Sequence, residues 1–313
     1  MLSHLEESMS FLPSRRVSIE AVFYREIDTE MTIRAAIIGS VALVTALLWL
    51  CSSAVAQQLQ QSSRLKTIEQ CNGRDRIPAQ ARIVGCTALI NSGDAKPSAL
   101  ALAYNNRGNA YTATAEYDRA ISDFGRAIEI ASDYVKPLNN RGVAYLRMGA
   151  YDEAIKDFGE AIRLDPGYGS AFANRAGAHL KLDQYDRALL DFNEAIRLDP
   201  NSRLARSGRC WARAVVGDLQ AGLEDCDSAI QLGAHDAATY DSRALIHLKM
   251  GQFAAAIDDY NFALRLTPNL ATALYGRGLA KLGQGDKAGN RDVSAAKLIE
   301  LRIGDAFVRY GVR

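Results

Sequence analysis

Residues 136–166 read KPLNNRGVAYLRMGAYDEAIKDFGEAIRLDP, and the same pattern of residue types returns every 34 residues along most of the chain. The period is kept by a set of arginines and a set of aspartates, namely Arg107, Arg141, Arg175, Arg209, Arg243 and Arg277, and Asp123, Asp157, Asp191, Asp225 and Asp259. A unit of this length holds two helices and a turn, which cannot bury their own apolar faces alone. The sequence therefore predicts an all-α fold in which these units stack into a solenoid.

The repeated unit resembles a tetratricopeptide repeat (TPR) in the positions of its small and aromatic residues. In residues 136–166 these positions hold Leu138, Gly142, Tyr145, Ala154, Phe158, Ala161 and Pro166. The resemblance implies a right-handed α-solenoid of stacked helix-turn-helix repeats. Counting in 34s places repeat starts at residues 101, 135, 169, 203, 237 and 271, so that the repeats cover residues 101–291. Residues 292–313 are expected to form a C-terminal capping helix and tail, because the terminal repeats of solenoids are atypical.

The periodic arginines occupy the seventh position of each repeat, where the family usually has leucine. An arginine on a packing face needs a partner, and the equally periodic aspartates lie 16 residues further along. We expect a ladder of Arg–Asp pairs along the spine of the solenoid. A repeated buried pair of this kind is an internal device for structural specificity and not a ligand site.

The N-terminal part contains an uncharged apolar run, AAIIGSVALVTALLWL at residues 35–50, followed by Ala54-Val55-Ala56. This order is typical of a secretory signal peptide at residues 31–56, with cleavage after Ala56. Residues 1–30 are then interpreted as an over-extended start. The resulting expectation is a periplasmic or secreted protein of a bacterial envelope. The alternative is an N-terminal extension with an uncleaved anchor, which would hold the protein at the inner membrane.

Four cysteines remain when Cys51 is removed with the signal peptide, an even number that suits an oxidising compartment. Cys210 and Cys226 fall on the two predicted helices of one repeat, so a bond between them is geometrically plausible. The segment around Cys86 is similar to that around Cys226, which predicts that residues 64–100 form a degenerate leading hairpin with a Cys71–Cys86 pair. The alternative is four buried free thiols that replace aromatic side chains.

Composition limits the functional classes. The formal net charge is only +1, whereas nucleic-acid-binding proteins are typically strongly basic. The four histidines are scattered and no closely spaced Cys or His cluster occurs in the sequence, so neither a metal site nor a cofactor is expected. The sequence also contains no nucleophile, metalloprotease or phosphate-loop motif, and we expect a protein that is not an enzyme.

The resemblance implies a concave groove lined by the first helix of each repeat. Asparagines recur at its fifth and sixth positions, and carboxamides can donate to and accept from the backbone of an extended peptide. We expect the groove to be formed by Asn105, Asn106, Asn109, Asn139, Asn140, Asn174, Arg147 and Lys181, with Trp211 as an aromatic anchor or as a shield of its own repeat.

These features predict a non-catalytic scaffold that binds a peptide or helical segment of a protein partner. Two alternatives remain at this stage. One is a structural protein that assembles with further copies of itself, and the other is a cytoplasmic or membrane-anchored TPR adaptor. Membrane association is expected only through an uncleaved leader.

Overall fold

The computed structural model of the protein describes residues 19–73 and 77–312, which form fifteen helices and no strand. The chain divides into two units between Lys66 and Thr67. The predicted all-α solenoid of stacked helix pairs is confirmed. Residues 1–18 of the segment interpreted as an over-extended start lie outside the described residues.

The first unit contains most of one long helix, α1, which runs from Ile19 to Asn72. Its stretch Thr29–Asn72 is long and apolar enough to cross a membrane, and none of the apolar window is buried in the structure. No other helix in the described ranges meets these criteria of length and composition. A signal sequence near the N-terminus meets them equally well.

The second unit is built from antiparallel helix pairs. After the end of α1 the helices are α2 (Ala79–Asn91), α3 (Pro97–Ala113), α4 (Tyr117–Ile130), α5 (Val135–Met148), α6 (Tyr151–Leu164), α7 (Gly169–Lys181), α8 (Tyr185–Leu198), α9 (Arg203–Val216), α10 (Leu219–Gln231), α11 (Ala237–Lys249), α12 (Phe253–Leu266), α13 (Ala271–Gly283), α14 (Gly289–Ile299) and α15 (Ile303–Arg309). The pairs from α3 and α4 to α13 and α14 are the six repeats.

In the first two repeats the two helices pack closely because a glycine of the first helix faces an aromatic ring of the second. A Cβ placed on Gly142 would lie 2.6 Å from a ring carbon of Phe158, and one on Gly108 would lie 2.7 Å from the ring of Phe124. Both phenylalanines are fully buried. The glycine allows the ring to reach the neighbouring helix backbone, and the ring fills the space between the helices.

Three of the second helices end at leucines that stand two residues before a proline. Leu164, Leu198 and Leu266 are the last residues of α6, α8 and α12. The residue before a proline is forced out of the helical region, and proline lacks the N–H of the next helical hydrogen bond. Asp165, which follows α6, accordingly adopts an extended conformation with ψ 92°.

Two disulfides join neighbouring helices, and one of them lies where the first two repeats have the glycine–aromatic contact. Cys210 and Cys226 join α9 to α10 with a Cα separation of 5.3 Å, and Cys71 and Cys86 join the end of α1 to α2 at 4.5 Å. All four are buried, and Cys210 and Cys226 occupy the positions that hold Gly142 and Phe158 in the second repeat. The covalent bond replaces the packing of a ring on a glycine.

The helix bounds differ from the predicted segments at both ends of the repeats. The last four residues assigned to the leading hairpin belong to α3, which begins at Pro97. At the other end, the repeats were expected to end at residue 291, but α14 extends to Ile299. Asp292 lies on this helix and pairs with Arg277, so α14 is the second helix of the sixth repeat. The cap itself is the short helix α15.

We expect Gly142→Ala to destabilise the protein by about 1–3 kcal/mol, since the new methyl group would overlap the Phe158 ring. Gly125→Ala, inside α4, is the matched control: the nearest neighbour of its new Cβ is an Arg141 nitrogen 3.8 Å away. This control should stabilise the protein by about 0.5–1 kcal/mol through helix propensity. Urea unfolding of both variants measures the difference, and equal effects would contradict the packing argument.

Candidate functional site

The first helices of the repeats form the inner face of the solenoid. Successive first helices, from α3 to α13, contact one another directly, while the second helices contact mainly the first helices on either side. Helices that approach each other closely lie on the inside of a curved stack, so residues of α3, α5, α7, α9, α11 and α13 line the groove. The candidate site is built on this face.

Behind the groove, six arginines of the first helices each form a two-point ion pair with an aspartate of the second helix. Arg141 Nε and Nη2 donate to Asp157 at 2.7 and 2.8 Å. The same geometry occurs in every repeat, in the pairs Arg107–Asp123, Arg141–Asp157, Arg175–Asp191, Arg209–Asp225, Arg243–Asp259 and Arg277–Asp292. The pairs link the two helices of each repeat at a point shielded from water.

The remaining guanidinium nitrogen of several arginines reaches the preceding repeat. Arg209 Nη1 donates to Asn193 at 2.8 Å, and Arg277 Nη1 donates to Asn261 at 2.9 Å. The hydrogen bond that Arg141 donates to Asp157 raises the pKa of Arg141, against the opposing effect of burial. The guanidinium stays charged at any relevant pH, so the ladder is a permanent structural element.

On the groove side, six asparagines form one continuous chain of side-chain hydrogen bonds, which we call the asparagine relay. Each carboxamide nitrogen donates to the carboxamide oxygen of the next residue, in the order Asn174, Asn139, Asn140, Asn105, Asn106 and Asn72, over distances of 2.9, 3.4, 2.9, 3.3 and 3.0 Å. Links between repeats alternate with links between adjacent residues. The relay extends from the end of α1 to the third repeat.

The relay changes the role expected for the asparagines. Asn105 and Asn139 are buried, with exposures of only 4% and 5%, and serve mainly to hold their neighbours. Asn106, Asn140 and Asn174 are half-buried. A carboxamide has two donor hydrogens and two acceptor lone pairs, so each of these three keeps hydrogen-bonding capacity beyond its relay bonds.

A cleft of about 540 Å³ opens in front of part of the relay, and its lining extends from the leading hairpin to Tyr168 at the end of the second repeat. Asn106, Asn109 and Asn140 line it, together with Arg82, Leu102, Lys136, Tyr134 and Tyr168. Asn109 is half-buried and Lys136 is exposed. The structure thus brings most of the predicted asparagines to the wall of one open cleft.

The asparagines stop after the third repeat, and in the fourth and sixth repeats aromatic rings take their space. A Cβ on Gly208 would lie 2.6 Å from the Phe192 ring atom Cε1, and one on Gly276 would overlap the ring of Tyr260 in the same manner. Both glycines hold the sixth position, which is asparagine in the first three repeats. A carboxamide there would displace a buried ring of the preceding repeat.

The second half of the groove is covered by the protein's own C-terminal segment. Phe307 stacks at a tilt on Tyr275 with 4.8 Å between ring centroids, and Tyr310 meets Trp211 edge-on at 5.0 Å. Lys249 Nζ donates to the backbone oxygens of Ala214 at 2.6 Å and of Tyr310 at 2.7 Å. The segment was expected to cover the end of the stack, but it reaches back to the fourth repeat.

Three further groove predictions have different outcomes. Trp211 is half-buried beneath Tyr310 and therefore belongs to an internal contact instead of standing free as an anchor. Arg147 is exposed beyond the cleft-lining residues, whereas Lys181 is exposed at the rim of the second half of the groove.

Sequence reasoning missed one participant of the relay. Asn72 ends the relay, and its signal was its position 34 residues before Asn106, inside a stretch whose repeat character is otherwise weak. In the described part of the chain, no three His, Cys, Asp or Glu side chains form a group that could hold a metal ion.

The profile of the tetratricopeptide repeat matches residues 101–134, 135–168 and 169–202, and a second TPR repeat profile matches residues 229–285. The chain belongs to the tetratricopeptide repeat family. The matched regions leave out residues 203–228, the part of this TPR protein that carries Trp211 and the Cys210–Cys226 disulfide. No curated protein matches the chain.

Solved structures show the same TPR fold. A tetratricopeptide repeat protein from Parabacteroides merdae superimposes with a TM-score of 0.58 at 20% identity, over 80% of this chain and 98% of that one. A chain of the APC/C hetero-tetramer Cut9–Hcn1 gives 0.62 at 15% identity, over 74% of this chain and 48% of that one. PilF of Pseudomonas aeruginosa gives 0.54 at 15% identity, over 67% and 95%. TPR proteins bind protein or peptide partners, and this chain is a TPR scaffold.

We expect Arg175→Met to cost about 3–5 kcal/mol of unfolding free energy, because it leaves the buried Asp191 without its cation. The double variant Arg175→Met, Asp191→Leu should cost less than the single one. Arg163→Ala, which breaks an exposed pair with Glu160, is the control and should change stability by less than about 1 kcal/mol. Chemical denaturation of the three variants measures these differences, and a double variant less stable than Arg175→Met would argue against a coupled pair.

Proposed function

We propose that this TPR protein is a non-catalytic scaffold of the bacterial envelope that binds an extended segment of a partner protein in the first half of its groove. The observation that carries the proposal is the asparagine relay along the wall of an open cleft. The bound segment would lie between the leading hairpin and the end of the second repeat.

The relay suits an extended backbone because its free groups are already oriented. Asn106 and Asn140 are held by hydrogen bonds at both their nitrogen and their oxygen atoms. Fixing these side chains in advance reduces the rotamer entropy lost on binding. Their remaining donors and acceptors can pair with the alternating N–H and C=O groups of a peptide.

The charge of the cleft indicates which segments it favours. Arg82 and Lys136 line it, and no acidic residue occurs among the described residues of its lining. Arg82 Nε is buried and has no hydrogen-bond partner in the described part of the chain. A segment rich in acceptors, with acidic side chains or a free carboxylate, would satisfy both cations.

The backbone of a partner segment is directed to the first half because the C-terminal segment takes up part of the second half. Phe307 and Tyr310 of the C-terminal segment already pack on Tyr275 and Trp211. The absence of a catalytic role is proposed on the same grounds of geometry, since the periodic carboxylates behind the groove are engaged by arginines and are poor general bases.

The envelope location is supported by the apolar helix and the cysteine pairs. The stretch Thr29–Asn72 has the composition of an export signal or a membrane anchor. Two buried disulfides follow it, and disulfides persist in oxidising compartments. We propose export with cleavage after Ala56, and retention of the helix as an inner-membrane anchor is the alternative.

Photocrosslinking in cells tests the groove. A photoreactive residue at Lys136, which is exposed in the cleft, should capture a discrete partner, whereas one at the exposed Asp258 of α12 should not. Adding Asn140→Leu should reduce the Lys136 adduct about tenfold or more, which corresponds to 1.4 kcal/mol or more of lost binding.

Asn290→Leu changes an exposed asparagine of α14, outside the cleft, and should leave the adduct unchanged. An adduct of the chain with itself would favour self-assembly. Equal capture from Lys136 and Asp258, or an adduct insensitive to Asn140→Leu, would contradict binding by the relay.

Intact mass spectrometry of the purified protein tests the location. The expected species begins at Gln57 and is about four mass units lighter than its reduced form, since each disulfide removes two hydrogens. An oxidised chain that retains residues 31–56 in the membrane fraction would establish the anchored alternative. A full-length reduced chain in the cytosol would exclude the envelope.

A further inference from the structure

The second half of the groove contains a separate cavity of about 680 Å³ between the third and sixth repeats. Its walls are mainly apolar and aromatic, and include Phe192, Leu204, Trp211, Leu270 and Tyr310. One acidic side chain, Asp241, lies among them. The combination of an apolar wall and a single carboxylate differs from the polar cleft of the first half.

Asp241 is the one aspartate in this lining, and it is buried with an exposure of only 8%. Its Oδ2 accepts a hydrogen bond of 2.7 Å from the Thr272 hydroxyl. Its Oδ1 is buried and has no partner among the residues that the structure describes. The buried ladder aspartates, by contrast, each have an arginine.

The repeat register shows that this charge is a substitution for a neutral group. Asp241 holds the fifth position of its repeat, where the first two repeats have the relay residues Asn105 and Asn139. An asparagine at this position would make the same hydrogen bond with Thr272 without the cost of burying a charge. The cost of burying a carboxylate there is offset where a cation or a strong hydrogen-bond donor lies close to it.

Other titratable groups near Asp241 do not supply that cation. Tyr260 of α12 is buried and neutral, and Asp241 contributes to the rise of its pKa after the larger effect of burial. Tyr310 and the exposed Lys181 of α7 line the cavity. In the part of the chain that the structure describes, Lys181 forms no ion pair with Asp241. Burial, opposed by the Thr272 hydrogen bond, raises the pKa of Asp241 to about 7.

We propose that this cavity binds an ammonium group carried on an apolar chain, with the Asp241 carboxylate as its counter-ion. Leu204 and Leu270 offer apolar surface to the methylene stem, as such stems pack elsewhere on proteins. The indole of Trp211 can attract the cation through its π-face. A lysine side chain of a partner protein and a free alkylamine share this chemistry.

The cavity is distinct from the cleft of the asparagine relay, so the proposal stands apart from binding in the first half. If both are correct, one partner segment can place a lysine here and its acceptor-rich portion in the first half. Crosslinking from Lys136 and ligand binding at Asp241 report on the two sites separately.

Tryptophan fluorescence gives a direct measurement, because Trp49 and Trp211 are the two tryptophans of the chain. In the full-length Trp49→Phe protein in detergent micelles, Trp211 is the reporter of the cavity. The probes are Nα-acetyl-lysine amide, its neutral norleucine counterpart, and hexylamine. The lysine and amine probes should change the Trp211 emission saturably, and the norleucine probe should bind at least tenfold more weakly.

The pH dependence identifies the counter-ion. Since binding needs the ionised carboxylate, the affinity for the lysine probe should fall about tenfold from pH 8 to pH 6, across the pKa of Asp241. Asp241→Asn should lose at least tenfold in affinity at pH 8 and show no such pH dependence. Its unliganded emission spectrum should stay unchanged, which shows that the fold around Trp211 is intact.

Lys181→Met is the matched control, because it removes the cation at the rim and leaves the carboxylate in place. Its affinity should equal or exceed that of the parent protein. Equal binding of the norleucine and lysine probes, an unchanged Asp241→Asn variant, or no saturable response to either cationic probe would overturn the proposal. Tighter binding of the lysine probe than of hexylamine assigns the source to a protein side chain, and the reverse assigns it to a free amine.

Discussion

The two-point hydrogen bond between a half-buried arginine and an aspartate 16 residues later is the interaction on which the solenoid depends. A guanidinium cannot lose its proton, so placing it between helices requires a carboxylate at the same depth. That requirement fixes how the two helices of each repeat lie against each other. Where the third guanidinium nitrogen reaches Asn193 or Asn261, the same arginine also positions the next repeat on the preceding one.

Because the Arg–Asp ladder holds the helix pairs together, the residues that line the groove can vary without loss of the fold. The first three repeats carry the asparagine relay there, and the later repeats carry glycines beneath the rings of Phe192 and Tyr260. The two halves of the groove consequently differ in chemistry: one is polar and open, and the other is apolar and covered by the C-terminal segment. One backbone repeat thus supports two different surfaces.

The fifth position of the repeat holds side chains with different roles in different repeats. At this position the neutral amides of Asn105 and Asn139 accept hydrogen bonds from the next repeat, whereas Asp241 places a carboxylate at the same depth. The carboxylate costs more to bury than the amide because burial disfavours its ionised form, and this penalty raises the pKa of Asp241 to about 7. Replacing the amide nitrogen of asparagine with the second oxygen of aspartate thus turns a neutral hydrogen-bonding residue into one that can carry a charge.

The helix pairs could be predicted from the amino-acid sequence, as could the partners of the periodic arginines through Asp259 and the two pairs of cysteines. These contacts join residues 15 or 16 positions apart within one hairpin, where helical periodicity and a short turn leave little choice of partner. The sequence did not predict that the asparagines bond mainly to one another, that Asn72 ends their relay, or that Tyr310 lies on Trp211. Those contacts depend on the curvature of the whole stack, which accumulates from a small rotation at every repeat and has no signature in any single segment.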